Sequence, residues 1–223
     1  MKMKNIKLLV LVMVTFLMIK CDYEVTDFGL NGAIKGTIKD DSGTPVYADA
    51  SSNNLIVKLL GEGDAQALEI RVNGEGEYQN TKVFPKKYEV WMEGPIVEST
   101  PVTIDFSNES EIMQDFIVSP FISPKISGGS GSGSSISVNY SIVPNAGNSI
   151  KKMEVYCSTV PYPTAAIGSR TNVYFTKTVA LSIASGSISI DGLETGTHYY
   201  IRIGAQADGA SVMNYSNQME VDL

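Results

Sequence analysis

Beyond residue 31 the chain is written in short runs of alternating apolar and polar side chains, separated by clusters of Gly, Asn, Asp, Ser and Pro. A period of two is the mark of β-strands that bury one face. Ile34 and Ile38 share one phase and Lys35, Thr37 and Lys39 the other. That run stops at Asp40-Asp41-Ser42-Gly43-Thr44-Pro45, residue types that accept turn geometry. Further strands are predicted at 55–60, 67–72, 77–83, 86–93, 102–106 and 112–118, with Asn73-Gly74 as a tight hairpin turn. This count suffices for one sandwich. Tyr88, Val90 and Met92 fall on its core face, while Trp91 points outward between Glu89 and Glu93.

Pro120 and Pro124 then interrupt the pattern, since neither can donate to a central ladder, and a domain boundary is placed near Pro120. Strands follow at 136–143, 151–158, 172–179, 187–190, 197–205 and 212–221, and 121–126 supplies the seventh that a second sandwich needs. The Ser/Gly stretch from Ser127 to Ser135 then reads as a mobile loop inside the second domain, the alternative being a flexible linker. No helical periodicity follows the N-terminal segment. The expected fold class is all-β, two tandem β-sandwiches over residues 31–119 and 120–223.

The first 21 residues have a different character. Lys2, Lys4 and Lys7 precede an apolar run from Leu8 to Ile19, and Cys21 follows. The run is too short to span a bilayer and suits the central region of a signal peptide. Cys21 stands where a bacterial lipoprotein signal places its lipidated cysteine, which makes residues 1–20 a signal peptide and 21–30 a tether. Leu17 lies one place early for a lipobox and Lys20 fits it poorly. The rival is an ordinary secretory signal, but no small-x-small cleavage site occurs between Val14 and Asp27. Acyl chains stabilise membrane attachment by about 0.8 kcal/mol per buried methylene, so two or three anchor a protein stably. Asp22 and Glu24 resemble the surface-export signal of Bacteroidetes lipoproteins, which implies a lipid-anchored protein of the outer membrane facing the cell surface.

Charge narrows the function. Removing residues 1–20 takes away Lys2, Lys4, Lys7 and Lys20 and no acid, leaving 13 basic against 24 acidic side chains, a net charge of −11. Phosphate contacts need clustered Lys and Arg, so nucleic acid is not an expected partner. Once Cys21 is acylated, Cys157 has no partner. It lies in phase with Met153 and Val155 and is expected to be a buried structural thiol. The single histidine, His198, is predicted to face outward, away from any cluster that could complete a metal site. Gly61-Glu62-Gly63-Asp64 and Gly74-Glu75-Gly76-Glu77 are read as solvated turns rather than calcium loops. No Ser/His/Asp set, zinc-protease helix or phosphate loop is present. The chain is therefore expected to be non-enzymatic and to need no cofactor or metal, with a small glycan hydrolase as the third reading.

Three resemblances add to this. Gly32-Ala33-Ile34-Lys35-Gly36-Thr37-Ile38, the Asp41-x-Gly43-x-Pro45-Val46 turn, Gly76-Glu77-Tyr78 and Pro85-x-x-Tyr88-x-Val90 resemble the carboxypeptidase-regulatory or transthyretin-like sandwich. Leu193-Glu194-Thr195-Gly196-Thr197-His198-Tyr199-Tyr200-Ile201-Arg202-Ile203 resembles the sixth strand of a fibronectin type III domain. That likeness makes Tyr199 the corner tyrosine, with Thr195 in place of the usual proline. Val138-x-Tyr140-x-x-x-Pro144 matches the second strand, with Tyr140 where a core Trp is usual. No Arg-Gly-Asp is present, so integrin-type adhesion does not carry over. Taken with Cys21, Tyr78-Gln79-Asn80-Thr81-Lys82-Val83-Phe84, Glu93-Gly94-Pro95 and Tyr199–Ala205, the whole chain resembles a Bacteroidetes lipoprotein family of unknown function, often encoded beside SusC/SusD-type glycan importers. The resemblance implies an accessory surface lipoprotein and supplies no ligand residues.

Aromatic positions are the candidate ligand contacts. Tyr156, Tyr174 and Tyr200 are opposite in phase to the core positions Val155, Phe175 and Tyr199, which would put all three on the outer face of one sheet beside Arg202. Trp91 and Tyr162, in Pro161-Tyr162-Pro163, complete the set. Flat rings with a polar edge suit sugar stacking and protein interfaces alike; the alternative for the tyrosines is that they pack on the first domain or lie scattered, and for Trp91 inter-domain packing is the favoured role. The expected function is a non-catalytic surface module that binds glycan or supports a SusC/SusD-type importer. The runner-up is a structural or adhesive spacer.

Overall fold

The computed structural model describes residues 29–145, 147–168 and 176–223, so Cys21 and Tyr174 lie outside the described residues. The first sandwich is built from β1 (Gly32–Lys39), β2 (Ile56–Gly61), β3 (Leu68–Arg71), β4 (Glu77–Val83), β5 (Lys87–Glu93), β6 (Val102–Asp105), β7 (Glu111–Met113) and β8 (Phe116–Ile117). One sheet runs β4-β1-β7 with β8 also on β1, and the other runs β3-β2-β5-β6. Ile34, Ile38 and Tyr78 from the first face Val57, Leu59, Tyr88, Val90 and Met92 from the second, the period-two positions of each strand. Burying each such side chain is worth about 1.5–3 kcal/mol. The strand expected at 112–118 is divided in two. At the break Asp115 accepts the Thr37 N–H at 2.8 Å and Lys39 Nζ at 2.9 Å, while the Gln114 carbonyl accepts the Tyr78 hydroxyl at 2.7 Å.

The second sandwich contains β9 (Ile122–Ser132), β10 (Ser135–Pro144), β11 (Ile150–Ser158), a single helical turn α1 (Ala165–Gly168), β12 (Thr176–Ala180), β13 (Ser185–Asp191), β14 (His198–Ala207), β15 (Asn214–Tyr215) and β16 (Met219–Asp222). Its sheets are β13-β10-β9 and β12-β11-β14, with β15 and β16 both on β14. Val138, Tyr140, Val155, Cys157, Tyr199, Ile201 and Ile203 meet between them. The Tyr199 hydroxyl accepts the Glu194 N–H at 2.9 Å, the corner bond expected of that position. Cys157 is buried and free, and burial pushes its thiol up to about 12, so little reactive thiolate exists at neutral pH.

The Ser/Gly stretch is neither a loop nor a linker. β9 continues through Ser132 and pairs with β10 almost to the hairpin turn. Its glycines are needed because the last strand crosses close above them: a Cβ on Gly131 would come within 2.6 Å of Leu223 Cδ2, and one on Gly129 within 2.8 Å of Met219 Sδ. Asparagine side chains also secure the start of β9, which pairs with β10. Asn214 Oδ1 accepts the Ile122 N–H at 3.1 Å, and Asn217 both accepts from and donates to the Ile126 backbone, at 3.0 and 3.2 Å.

The two sandwiches lie within one compact unit, Asn31–Leu223. Their seam is extensively hydrogen bonded. Phe121 N–H donates to the Pro95 carbonyl at 2.9 Å and Val97 N–H to that of Ser119 at 2.8 Å. Asn54 Nδ2 reaches the Met213 carbonyl at 2.7 Å, Asn214 Nδ2 the Pro95 carbonyl at 3.0 Å, and Tyr47 pairs with Tyr215 as an isolated bridge.

Candidate functional site

The outward phase predicted for the second sandwich is correct, but the expected exposure is not. Tyr156 on β11 and Arg202 on β14 do turn away from their own core, and they are register partners. The 45–54 segment of the first sandwich and β15 cover them. Tyr156 is 1% exposed; its hydroxyl donates to Glu154 at 2.7 Å and lies 3.2 Å from Met213 Sδ. Arg202 is 0% exposed and donates through Nε to the Ser216 carbonyl and through Nη1 to the Ala48 carbonyl, both at 3.1 Å. Its guanidinium carbon lies 4.9 Å from the Tyr215 ring centroid and 6.0 Å from that of Tyr162, a cation–π arrangement worth about 2 kcal/mol when desolvated. Burial lowers the guanidinium to about 10, and Tyr215 and Asp49 oppose that fall, so it stays protonated at neutral pH. These two residues belong to the inter-sandwich seam and form no ligand platform.

Tyr162 is also part of the seam rather than a free loop aromatic. It adopts a left-handed backbone, φ 54°. Its N–H donates to Gln218 Oε1 at 2.5 Å, its ring fills the space beside Gly74, and its hydroxyl donates to the Glu75 carboxylate. That bond, with burial behind it, pushes the phenol up to about 12. Of the two platform tyrosines among the described residues, Tyr200 remains partly open, packed edge-on against His198 with ring centroids 4.7 Å apart. His198 is exposed as expected, but it is not remote from acids: Asp222 and Glu220 of the adjacent β16 flank it.

Trp91, like Tyr162 at a smaller depression of about 400 Å³, meets an open depression. It stands on the outer face of β5 opposite Lys58 of β2. Lys58 is ion-paired to Glu69 and lies 3.5 Å from Glu93, and the indole N–H donates to Glu93 Oε1 at 3.0 Å. The ring is thereby held by its polar edge and stays half-exposed. Beside it an open groove of about 720 Å³ is bounded by Trp91, Glu93, Val97, Glu98, Phe121 and Asn148. The last two come from the second sandwich. Phe121 was read only as the start of a strand and Asn148 falls between two predicted strands, and nothing in local sequence brings either to Trp91. An indole face bordered by carboxylates, an amide and a second aromatic ring can stack on an apolar surface while bonding its polar rim. Glu93 is engaged by the indole and by Lys58, which ill suits it to general acid–base work.

No family model matches the sequence, and neither does any curated protein. The fold is shared with solved proteins of nearly the same length. A DUF3823 family protein from Bacteroides ovatus is similar at TM-score 0.69 and 16% identity, over 86% of this chain and 99% of that one. A DUF3823 family protein from Parabacteroides merdae is similar at TM-score 0.68 and 16% identity, over 86% and 98%. A Bacteroides uniformis protein, described as a candidate carbohydrate binding protein, is similar at TM-score 0.68 and 25% identity, over 87% and 100%. At 16% identity the first two likenesses establish the tandem-sandwich fold and nothing of function. None of the three is described as an enzyme.

Proposed function

We propose that this chain is a non-catalytic glycan-binding lipoprotein, held by acylated Cys21 at the outer face of a Bacteroidetes-type outer membrane, where it assists a SusC/SusD-type importer. The observation that carries the binding reading is the half-exposed Trp91 at the edge of the groove it forms with Phe121 and Asn148. The carbohydrate binding description of the Bacteroides uniformis relative supports it. Stacking one sugar ring on an aromatic face contributes about 1 kcal/mol, by analogy with aromatic pairs. Single sites then bind weakly, and many anchored copies supply avidity. Replacing Trp91 with alanine should weaken retardation of residues 22–223 in a polysaccharide affinity gel, and glycan should alter the fluorescence of the wild-type protein, whose sole tryptophan this is. Retardation undiminished in Trp91→Ala rules out the groove. Separately, Cys21→Ala should eliminate palmitate incorporation, and equal labelling of the two forms rules out the anchor.

A second reading, a rigid spacer, is favoured by the hydrogen-bonded seam, because a locked pair of sandwiches holds a fixed length where a flexible pair would not. Absence of retardation on every polysaccharide tested would leave the spacer as the function.

A further inference from the structure

A second concavity lies next to the chain segment that carries Phe121. Phe121 lines the Trp91 groove, whereas Ser123 and Lys125 line a crevice of about 480 Å³. The two sets of lining residues have no member in common. The floor of the crevice is the outer face of the β9–β10 pair, where Ser123 stands opposite Val143 and Lys125 opposite Ser141. Its other side is the 40–47 segment of the first sandwich, carrying Asp40 and the half-buried ring of Tyr47.

The polar groups here have capacity to spare. Asp40 Oδ1 already accepts Ser42 N–H at 2.9 Å, Ser42 Oγ at 2.6 Å and Thr44 N–H at 2.9 Å, while Oδ2 accepts no hydrogen bond among the described residues. Those three bonds fix the carboxylate in place. Lys125 enters no ion pair, and the Tyr47 hydroxyl no hydrogen bond, among the described residues. The frame around them is set before any ligand arrives, since Asn214 and Asn217 pin the backbone of β9 and Pro45 and Pro124 stiffen the walls. Preorganisation of this kind removes much of the ordering cost of binding.

We propose that this crevice is a second, independent site that takes one or two rings of a neutral sugar. It rests on the glycan reading of the protein but not on Trp91. A pyranose has an apolar face for Tyr47 and Val143 and hydroxyls that both donate, to Asp40, and accept, from Lys125 and Ser141. Pockets of about 300–1,000 Å³ enclose small ligands, and this one is at the lower end. An anionic ligand fits less well, because the crevice offers one lysine against Asp40 in a chain whose residues 21–223 carry a net charge of −11.

The test uses residues 22–223, which carry every strand and both cores, with methyl glucoside, methyl galactoside, methyl mannoside and N-acetylglucosamine as separate probes. Saturation-transfer NMR should show binding of at least one of them, with shifts at the Lys125 and Ser141 amides. Trp91→Ala should leave those Lys125 and Ser141 shifts intact. Ser141→Trp fills the crevice from a strand position that accepts aromatic side chains, and should weaken binding at least tenfold. Should that variant fail to fold by circular dichroism, Lys125→Ala, an exposed truncation, decides the matter with an expected loss of threefold or more. Transfer from none of the four sugars, binding undiminished in the crevice variant, or loss in Trp91→Ala with retention in Ser141→Trp each overturns the crevice. Only the polysaccharide gel with Trp91→Ala bears on the groove, so the two readings fail separately.

Discussion

Trp91 and Arg202 hold equivalent places in their own sandwiches: each lies on a long central strand, each is flanked by core residues, and each points away from its own core. Their surroundings are opposite. Trp91 is held by the indole–Glu93 bond on a face that neighbouring segments border without covering, while Arg202 has been sealed beneath the 45–54 segment and β15. Alternation within a strand decides which side of its own sheet a residue faces. Whether that side meets water is decided by a different part of the chain, at a separation of 154 residues for the bond from Arg202 to Ala48. A large amphipathic side chain in the outward phase thus has two natural uses, and the amount of polar bonding capacity it must satisfy separates them.

The comparison makes its largest prediction for stability. Arg202→Ala removes both donors from the buried Ser216 and Ala48 carbonyls and leaves a void beside Tyr215 and Tyr162. Loss of a buried, charged, hydrogen-bonded group should cost about 3 kcal/mol, a fall in Tm of roughly 6–12 °C for a chain of this size. Trp91→Ala should stay within about 1 kcal/mol, since the residue is only partly buried and its indole bonds an exposed carboxylate. Thermal melts of the two variants check this. Equal losses would erase the distinction between the two positions.

The fold was legible wherever a strand buries one face of its own sheet. Tyr88, Val90 and Met92 point inward as their phase required, and Tyr199 makes its corner bond. Legibility ended where the structural reason lies elsewhere in the chain. The glycines of β9 look like a loop because their role is to make room for Met219, Val221 and Leu223, about 90 residues later. The split between β7 and β8 depends on Asp115 meeting Thr37 and Lys39, and no local pattern encodes that. Of the candidate site, Trp91 was visible from its phase, whereas Phe121 and Asn148 reach the groove only because the two sandwiches dock.

An intermediate effect is expected at Asn214, whose side-chain amide links the sandwiches by accepting from Ile122 N–H and donating to the Pro95 carbonyl. Asn214→Ala should cost about 2 kcal/mol, because the buried Ile122 N–H loses its partner and the Pro95 carbonyl keeps only the Phe121 N–H. It should also loosen the coupling that makes one unit of the two cores. Trp91 lies on the first sandwich and its fluorescence follows mainly that unit, whereas far-ultraviolet circular dichroism follows both. Urea transitions by the two probes should coincide in the wild type and separate in Asn214→Ala. Coincident curves in the variant would mean that the rest of the seam suffices.

The smallest effect is expected at the open end of β14, where His198 contrasts with Arg202 on the same strand face. Its Nδ1 lies 2.7 Å from Asp222 and its Nε2 3.4 Å from Glu220, and the Asp222 hydrogen bond, joined by the Coulomb pull of both acids, raises its pKa above 6.5. A histidine whose folded pKa is raised adds stability that is fully present below its unfolded pKa and is lost as pH rises through the folded value. The Tm advantage of wild type over His198→Gln should therefore be greatest below about pH 6.5 and decline at higher pH, and added salt should shrink it because these charges are solvated. His198 is the only histidine, so its ring proton signal can be followed without assignment and should show a midpoint above 6.5. A midpoint below 6.5, or an advantage that grows with pH, would mean that this end of β14 is desolvated like the Arg202 end and that the outer face of the strand is covered along its whole length.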